Sequence, residues 1–284
     1  MKKLVLLFIL TLLTACKETS KELDAEAIVA HAIEAAGGKT IDTALISFKF
    51  RDKFYSADRN NGRFKLERCT DPGCKDTLDQ LSNSDFKRFI NETEVVVPDS
   101  LITSLSGGVN SVHYFSVLPY GLDAEAVHAE KVGQASINGK TYFEIKVTFS
   151  EEGGGEDFED TYMYWINTED FSVDFLAYNY HVNEGGTRFR EAYNERTING
   201  VRFVDYRNFK PQEQFPPLQS LDSLFTTGNL ELLSKIDLEQ VEVNPCSSRR
   251  KLISAFCSSR TIFYPNHIEE TIKSIIDVII FRFS

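Results

Sequence analysis

Between residues 131 and 210 the sequence repeats one pattern: a run of about six to ten residues, then a tight turn. Asn138-Gly139, Asn167-Thr168, Gly185-Gly186 and Asn199-Gly200 are the turn signals, residue types that accept the backbone angles of a hairpin. After the first turn, Phe143, Ile145, Val147 and Phe149 alternate with Tyr142, Glu144, Lys146 and Thr148, a period of two. Thr161 to Ile166, Phe171 to Tyr180, Thr187 to Thr197 and Val201 to Phe209 read as further strands. The connections are too short for crossover helices, so an antiparallel meander is expected and βαβ units are excluded. Long strands in succession must curl or close to manage their edges. The expected class is therefore mainly β (α+β): a curved antiparallel sheet, or half-open β-barrel, wrapped over a few helices.

The segment before this meander fits the same plan. Asp24 to Ala36 predicts a helix, capped by Asp24 and stopped by Gly37-Gly38. Ile46, Phe48, Phe50 and Phe54 alternate with Ser47, Lys49, Arg51 and Lys53 as one strand. Asn60-Asn61-Gly62 turns the chain, and Arg63 to Arg68 returns. Ser84 to Asn91 and Asp99 to Ser106 suggest short helices, the second ended by Gly107-Gly108, and Val112 to Leu118 a strand closed by Pro119-Tyr120-Gly121. Ser220 to Ile236 holds a candidate last helix, and Val241-Glu242-Val243 a last strand.

Both ends differ from this body. Lys2 and Lys3 precede an apolar run, Leu4 to Leu13, too short to span a bilayer and typical of a signal peptide. Leu13-Thr14-Ala15-Cys16 then resembles the lipobox of bacterial lipoproteins. The expected division is a signal peptide over 1–15, lipid attachment at Cys16, a polar tether over 16–22 and a folded domain over 23–244. Lys17, not an acidic residue, follows the cysteine, which by resemblance to sorting rules implies the outer membrane, on its periplasmic face or the cell surface. The tail 245–284 carries six Lys/Arg and three Asp/Glu, against a net charge of -16 for residues 16–244. Ile268, Ile272, Ile275 and Ile279 have helical spacing there. A docked amphipathic helix, an accidental extension and a partner-binding segment all remain open for this tail.

Motifs that carry chemistry are scarce. The whole chain has a net charge of -11, which argues against nucleic-acid partners. His31, His113, His128, His181 and His267 lack the spacing of a zinc site, and no G-x-S-x-G elbow, P-loop or dinucleotide fingerprint occurs. No metal, cofactor or catalytic residue is expected. A hydrolase would rest only on His181, Arg188, Arg190 and Glu191, near one hairpin. Glu151, Glu152, Glu156, Asp157, Glu159 and Asp160 form either a solvated acidic loop or a calcium-binding one. Cys69-Thr70-Asp71-Pro72-Gly73-Cys74 brings two thiols across a Pro-Gly turn, which suits a local disulfide in an oxidising envelope; a metal pair or free thiols are the alternatives. Asp42-Thr43-Ala44, Asp76-Thr77-Leu78, Asp99-Ser100-Leu101 and Asp222-Ser223-Leu224 resemble a short O-glycosylation pattern, although Asp with Ser or Thr also caps helices.

Several strings carry a wider resemblance: Gly154-Gly155-Glu156-Asp157, Tyr164-Trp165-Ile166-Asn167, Leu176-Ala177-Tyr178, Gly185-Gly186-Thr187-Arg188-Phe189-Arg190, and Asn199-Gly200-Val201-Arg202-Phe203-Val204-Asp205-Tyr206. Together they resemble a family of unknown function among bacterial envelope lipoproteins, with a layout similar to LolA-like half-open barrels. The resemblance covers roughly residues 23–244 and implies no catalytic residues. It implies a membrane-anchored monomer that binds a lipid or other apolar ligand in its concave face. Phe48, Phe50, Phe143, Ile145, Val147 and Phe149 are the candidate cavity residues. The competing expectation is a structural or interaction lipoprotein in which these side chains simply fill a core. Cavity volume separates the two, since several hundred Å³ of apolar void would favour a ligand.

Overall fold

The computed structural model describes residues 22–150, 160–181 and 184–245. Helix α1 (Ala25–Ala35) starts where the Asp24 carboxylate accepts the Ala27 N–H at 2.9 Å, and it buries Ala25, Ile28, Val29 and Ala32. Gly37 follows with φ 89°, and a Cβ there would lie 2.1 Å from the Gly200 carbonyl oxygen, so only glycine lets this corner sit on the turn at Asn199-Gly200. A single helical turn, α2 (Gly38–Ile41), leads into the first sheet.

That sheet comprises β1 (Ala44–Phe50), β2 (Lys53–Asn60), β3 (Arg63–Cys69), β4 (Thr77–Ser82), β5 (Phe86–Ile90) and β6 (Thr93–Val95), joined by sequential hairpins. Helix α3 (Asp99–Ser116) then crosses to a second sheet. It comprises β7 (Val127–Ile137), β8 (Lys140–Phe149), β9 (Tyr162–Asn167), β10 (Val173–Tyr180), β11 (Gly186–Ile198) and β12 (Val201–Pro211). A short helix, α4 (Leu221–Thr226), precedes β13 (Leu230–Ile236) and β14 (Leu238–Pro245).

The sheet orders are β14-β1-β2-β3-β4-β5-β6 and β13-β12-β11-β10-β9-β8-β7, antiparallel throughout. Asp237 alone separates β13 from β14, so the chain steps from one sheet to the other at that residue. Among the described residues, β6 pairs only with β5 and β7 only with β8. The two sheets thus meet at the β13–β14 corner and stay open at the opposite edges, a half-open barrel of mainly β class.

Three sequence expectations are corrected. Phe54 does not continue the strand of Phe50: the chain reverses at Arg51, whose φ is 56°, and Phe54 lies on β2 opposite Lys49. Residues 84–91 are not a helix. Phe86–Ile90 forms β5 because hairpin pairing with β4 outweighs the local preference of its charged residues, and Arg88 reaches Asp79 across the ladder. Gly107-Gly108 does not end α3, and residues 112–116 are helical rather than extended. Gly108 brings the helix backbone close to a β3 side chain: a Cβ there would lie 2.6 Å from Arg68 Nη1. Glycine here serves helix–sheet approach, and packing between two sheets sustains a helix that its local propensity would stop.

The main core runs between the sheets and includes α1, α3 and the inner faces of β1 and β8. A second core covers the outer face of the second sheet, where Tyr142, Met163, Trp165, Phe175 and Phe189 pack beneath Leu218 and Leu221. That sheet is therefore buried on both faces, which explains why β9 and β10 are nearly continuous apolar runs.

Candidate functional site

The concave face gathers all six candidate cavity residues into one cluster. Phe48 and Phe50 enter it from β1, and Phe143, Ile145, Val147 and Phe149 from β8. Each is buried. Alternation along β8 places them on the inner face, as the period of two requires, while Tyr142 turns outward to the second core.

The concavity is occupied. The last ten residues of α3 lie inside it, and the cavity left between Phe50, Val112, Phe115, Val204, Tyr206 and Ile236 measures about 10 Å³. One water needs roughly that much space. The expectation of several hundred Å³ of apolar void is not met in this conformation.

The occupant is a peculiar core helix. Its buried residues include Asn110, Ser111, His113 and Ser116 beside Val109, Val112, Tyr114 and Phe115. The His113 ring stands edge-on to Phe48 and Tyr55, with centroids 5.6 and 5.5 Å away, and its Nε2 lies 3.0 Å from the Glu67 carbonyl oxygen. A carbonyl only accepts, so Nε2 carries the proton. Its Nδ1 is buried without a hydrogen-bond partner. Burial first, then the positive charges of Arg59 and Arg68, push the imidazole pKa down to about 3. Burial likewise raises the phenols of Tyr114, Tyr162, Tyr164 and Tyr206, so all four remain neutral.

Two buried cationic features face α3 from opposite sheets. From β11, Arg190 lies with its guanidinium carbon 4.1 Å from the Phe115 ring centroid and 5.1 Å from that of Tyr178, and Nη2 donates to the Tyr178 hydroxyl at 2.7 Å. Against the first sheet, Asp79 on β4 accepts from Arg68 Nε and Nη2 at 3.2 and 2.6 Å, and from Arg88 Nε and Nη2 at 2.6 and 2.9 Å. Sequence reasoning missed Arg59, Arg68, Asp79 and Arg88. Arg190 was singled out only as a hydrolase candidate, although an arginine at an inward position of an alternating strand already signalled a buried charge.

The hydrolase constellation does not converge. His181 Nδ1 lies 3.2 Å from Asp160 at a solvent-exposed edge, Arg190 points into the core, and Glu191 pairs outward with Arg207 at 2.9 Å. The other histidines are dispersed: His31 packs on Phe171, and His128 meets Ser150 Oγ at 2.6 Å. Cys69 and Cys74 are joined by a disulfide with Cα atoms 5.0 Å apart. Among the patterns resembling glycosylation sites, Ser100 and Ser223 are exposed, on the first turns of α3 and α4. Cys16, the acidic residues 151–159, and His267 with residues 246–284 lie outside the described residues.

Comparison with solved structures finds similar, distant folds. A LolA superfamily protein from Nitrosomonas europaea is 11% identical with a TM-score of 0.45, over 78% of this chain and 94% of its own. A domain from Vibrio parahaemolyticus assigned to outer membrane lipoprotein sorting is 8% identical with a TM-score of 0.42, over 81% and 97%. A DUF1329 family protein from Desulfovibrio piger is 9% identical with a TM-score of 0.37, over 78% and 93%. No curated protein matches the chain. A family model does match residues 2–238, and the chain belongs to that family of unknown function, DUF6503.

Proposed function

We propose that the protein is an envelope lipoprotein, anchored through Cys16 to the outer membrane, whose half-open barrel receives a lipid acyl chain or similar apolar ligand when α3 gives way. The supporting observation is the make-up of the buried half of α3. A permanent core helix would present apolar side chains, yet this one buries Asn110, Ser111, His113 and Ser116, with His113 edge-on to Phe48 and Ser116 beside Phe50. The His113 Nδ1 is buried there without a hydrogen-bond partner, a cost in free energy that an all-apolar occupant would not incur. An acyl chain replacing α3 would leave the aromatic and aliphatic walls covered and return those polar groups to water.

Native mass spectrometry of the tag-free mature protein tests this. The expected spectrum shows a monomer carrying a lipid-sized adduct, or gaining one when a monoacylglycerol is added. A bare monomer under both conditions overturns the ligand reading. The anchor is tested separately: Cys16→Ala is expected to lose fatty-acid labelling and membrane association, and equal labelling of the variant refutes it.

The cavity of about 10 Å³ beside Phe50 favours a second reading, a structural or interaction lipoprotein whose core is complete. In that case residues 107–116 keep the hydrogen-exchange protection of the surrounding strands, and added lipid changes nothing.

A further inference from the structure

Arg59 is the next-to-last residue of β2, with its side chain on the concave side of the first sheet, in register with Tyr55 and Ala57 and 8% exposed. Its Nη1 is buried and has no hydrogen-bond partner. No hydrogen bond or ion pair reaches this guanidinium from the described residues, and the Tyr120 ring lies beside it with its centroid 5.7 Å from Cζ. The nearby Asp42 carboxylate is engaged elsewhere, accepting the Tyr120 hydroxyl at 2.6 Å.

A buried arginine is ordinarily forked onto a carboxylate, as Arg68 and Arg88 are on Asp79 a few strands away. Arg59 differs, and it lines a pocket of about 100 Å³. Arg63 stands at the same pocket from the start of β3, while Tyr114, Val117 and Tyr120 supply its apolar wall. The charges that act on its wall are the guanidinium groups of Arg59 and the exposed Arg63 and the carboxylates of Asp42 and Asp123, and neither carboxylate hydrogen-bonds to Arg59. The pocket volume suits a small oxyanion group and is too small for an acyl chain. A buried guanidinium with an N–H left without an acceptor is costly to retain, and an arriving anion that accepts from it removes that cost.

We infer that this pocket is an anion subsite in which Arg59, supported by Arg63, binds a phosphate or carboxylate group. Burial draws the Arg59 guanidinium down to about 10, which still leaves it charged at neutral pH. The site lies on the Asn110–Tyr114 side of α3, away from the cavity beside Phe50, and it does not require that cavity to open. The group arrives either as a free ion or as the head of a lipid.

The test uses the full mature protein with inorganic phosphate, lysophosphatidic acid and a monoacylglycerol of the same chain length, in wild type, Arg59→Met and Arg59→Lys. Phosphate is expected to raise the melting temperature of wild type, to leave Arg59→Met unmoved, and to act on Arg59→Lys in part. Without anion, Arg59→Met is expected to melt at or above wild type, because it removes a buried guanidinium whose Nη1 has no acceptor; a purely structural arginine would give the opposite order. Lysophosphatidic acid binding at least tenfold tighter than monoacylglycerol in wild type, with that preference lost in Arg59→Met, identifies a lipid head as the source. A phosphate response without lipid preference identifies a free ion, and stands even if no acyl ligand ever binds the barrel. Equal anion responses in wild type and Arg59→Met, or none in wild type, overturn the subsite while leaving monoacylglycerol binding to judge the barrel.

Discussion

His113 and Asp79 show how much of this fold depends on single polar side chains held between its sheets. The imidazole is fully buried and neutral, with a pKa near 3 in the folded chain against about 6.5 when unfolded. A depressed histidine pKa means that the unfolded state takes up the proton first. The contribution is therefore complete above about pH 6.5 and lost progressively as pH falls toward 3, at roughly 1.4 kcal/mol per unit. Urea unfolding at pH 7.5 and pH 5.0 should show a wild-type loss about 2 kcal/mol larger than that of His113→Gln. Parallel pH curves for the two proteins would mean that the ring is hydrated. Asp79 has 3% of its side chain exposed and binds two arginines through four hydrogen bonds. Asp79→Asn leaves both guanidinium groups facing a neutral amide, and a loss of about 3–5 kcal/mol is expected from denaturant melts. A loss under about 1 kcal/mol would place the cluster with ordinary surface pairs.

At the scale of elements, the hairpin between β3 and β4 is fastened twice. The Asp71 carboxylate accepts backbone N–H groups of Gly73, Lys75 and Asp76, which hold its pKa below the usual value, and the disulfide from Cys69 to Cys74 closes the same loop. So small a loop limits the gain from chain entropy, and the Cys69→Ser/Cys74→Ser variant should lose about 2 kcal/mol. Non-reducing peptide maps of the protein purified without reductant should show no alkylation at either cysteine. This loop was legible in the sequence because its determinants lie within six residues. The hairpins at Asn61-Gly62, Asn138-Gly139 and Asn199-Gly200 were legible for the same reason: their turn residues adopt positive φ. Residues 84–91 and 107–118 were misread because their state is set at long range. β5 exists through its ladder with β4, and α3 carries Gly108 where Arg68 comes close.

For the whole molecule, the apolar half of the site could be read from alternation, which put Phe143, Ile145, Val147 and Phe149 on one face. The charged half could not. Arg68, Asp79 and Arg88 come from three strands, and Arg59 meets Tyr120 across 61 positions of sequence, as the numbering itself shows. Residues 246–284 enter only through composition, and we propose that the barrel does not need them. Deletion must start after Pro245, which still pairs with Ala44, and should leave the melting temperature within a few degrees. Were Ile268, Ile272, Ile275 and Ile279 part of the core, each would contribute roughly 1.5–3 kcal/mol. A fall above about 10 °C, or insoluble truncated protein, would then be seen.

The pairing of β1 with β14 has a further consequence in time. The first strand of the barrel lies between β2 and the last strand, so one flank of β1 has no partner until the chain is complete through Pro245. A nascent chain cannot finish its opening sheet before its final one, and every such contact spans most of the sequence. Pairings of this kind slow folding and leave an unpaired strand edge open to other chains while they wait. If the chain is exported as proposed, that interval is when a holdase would have the most to protect.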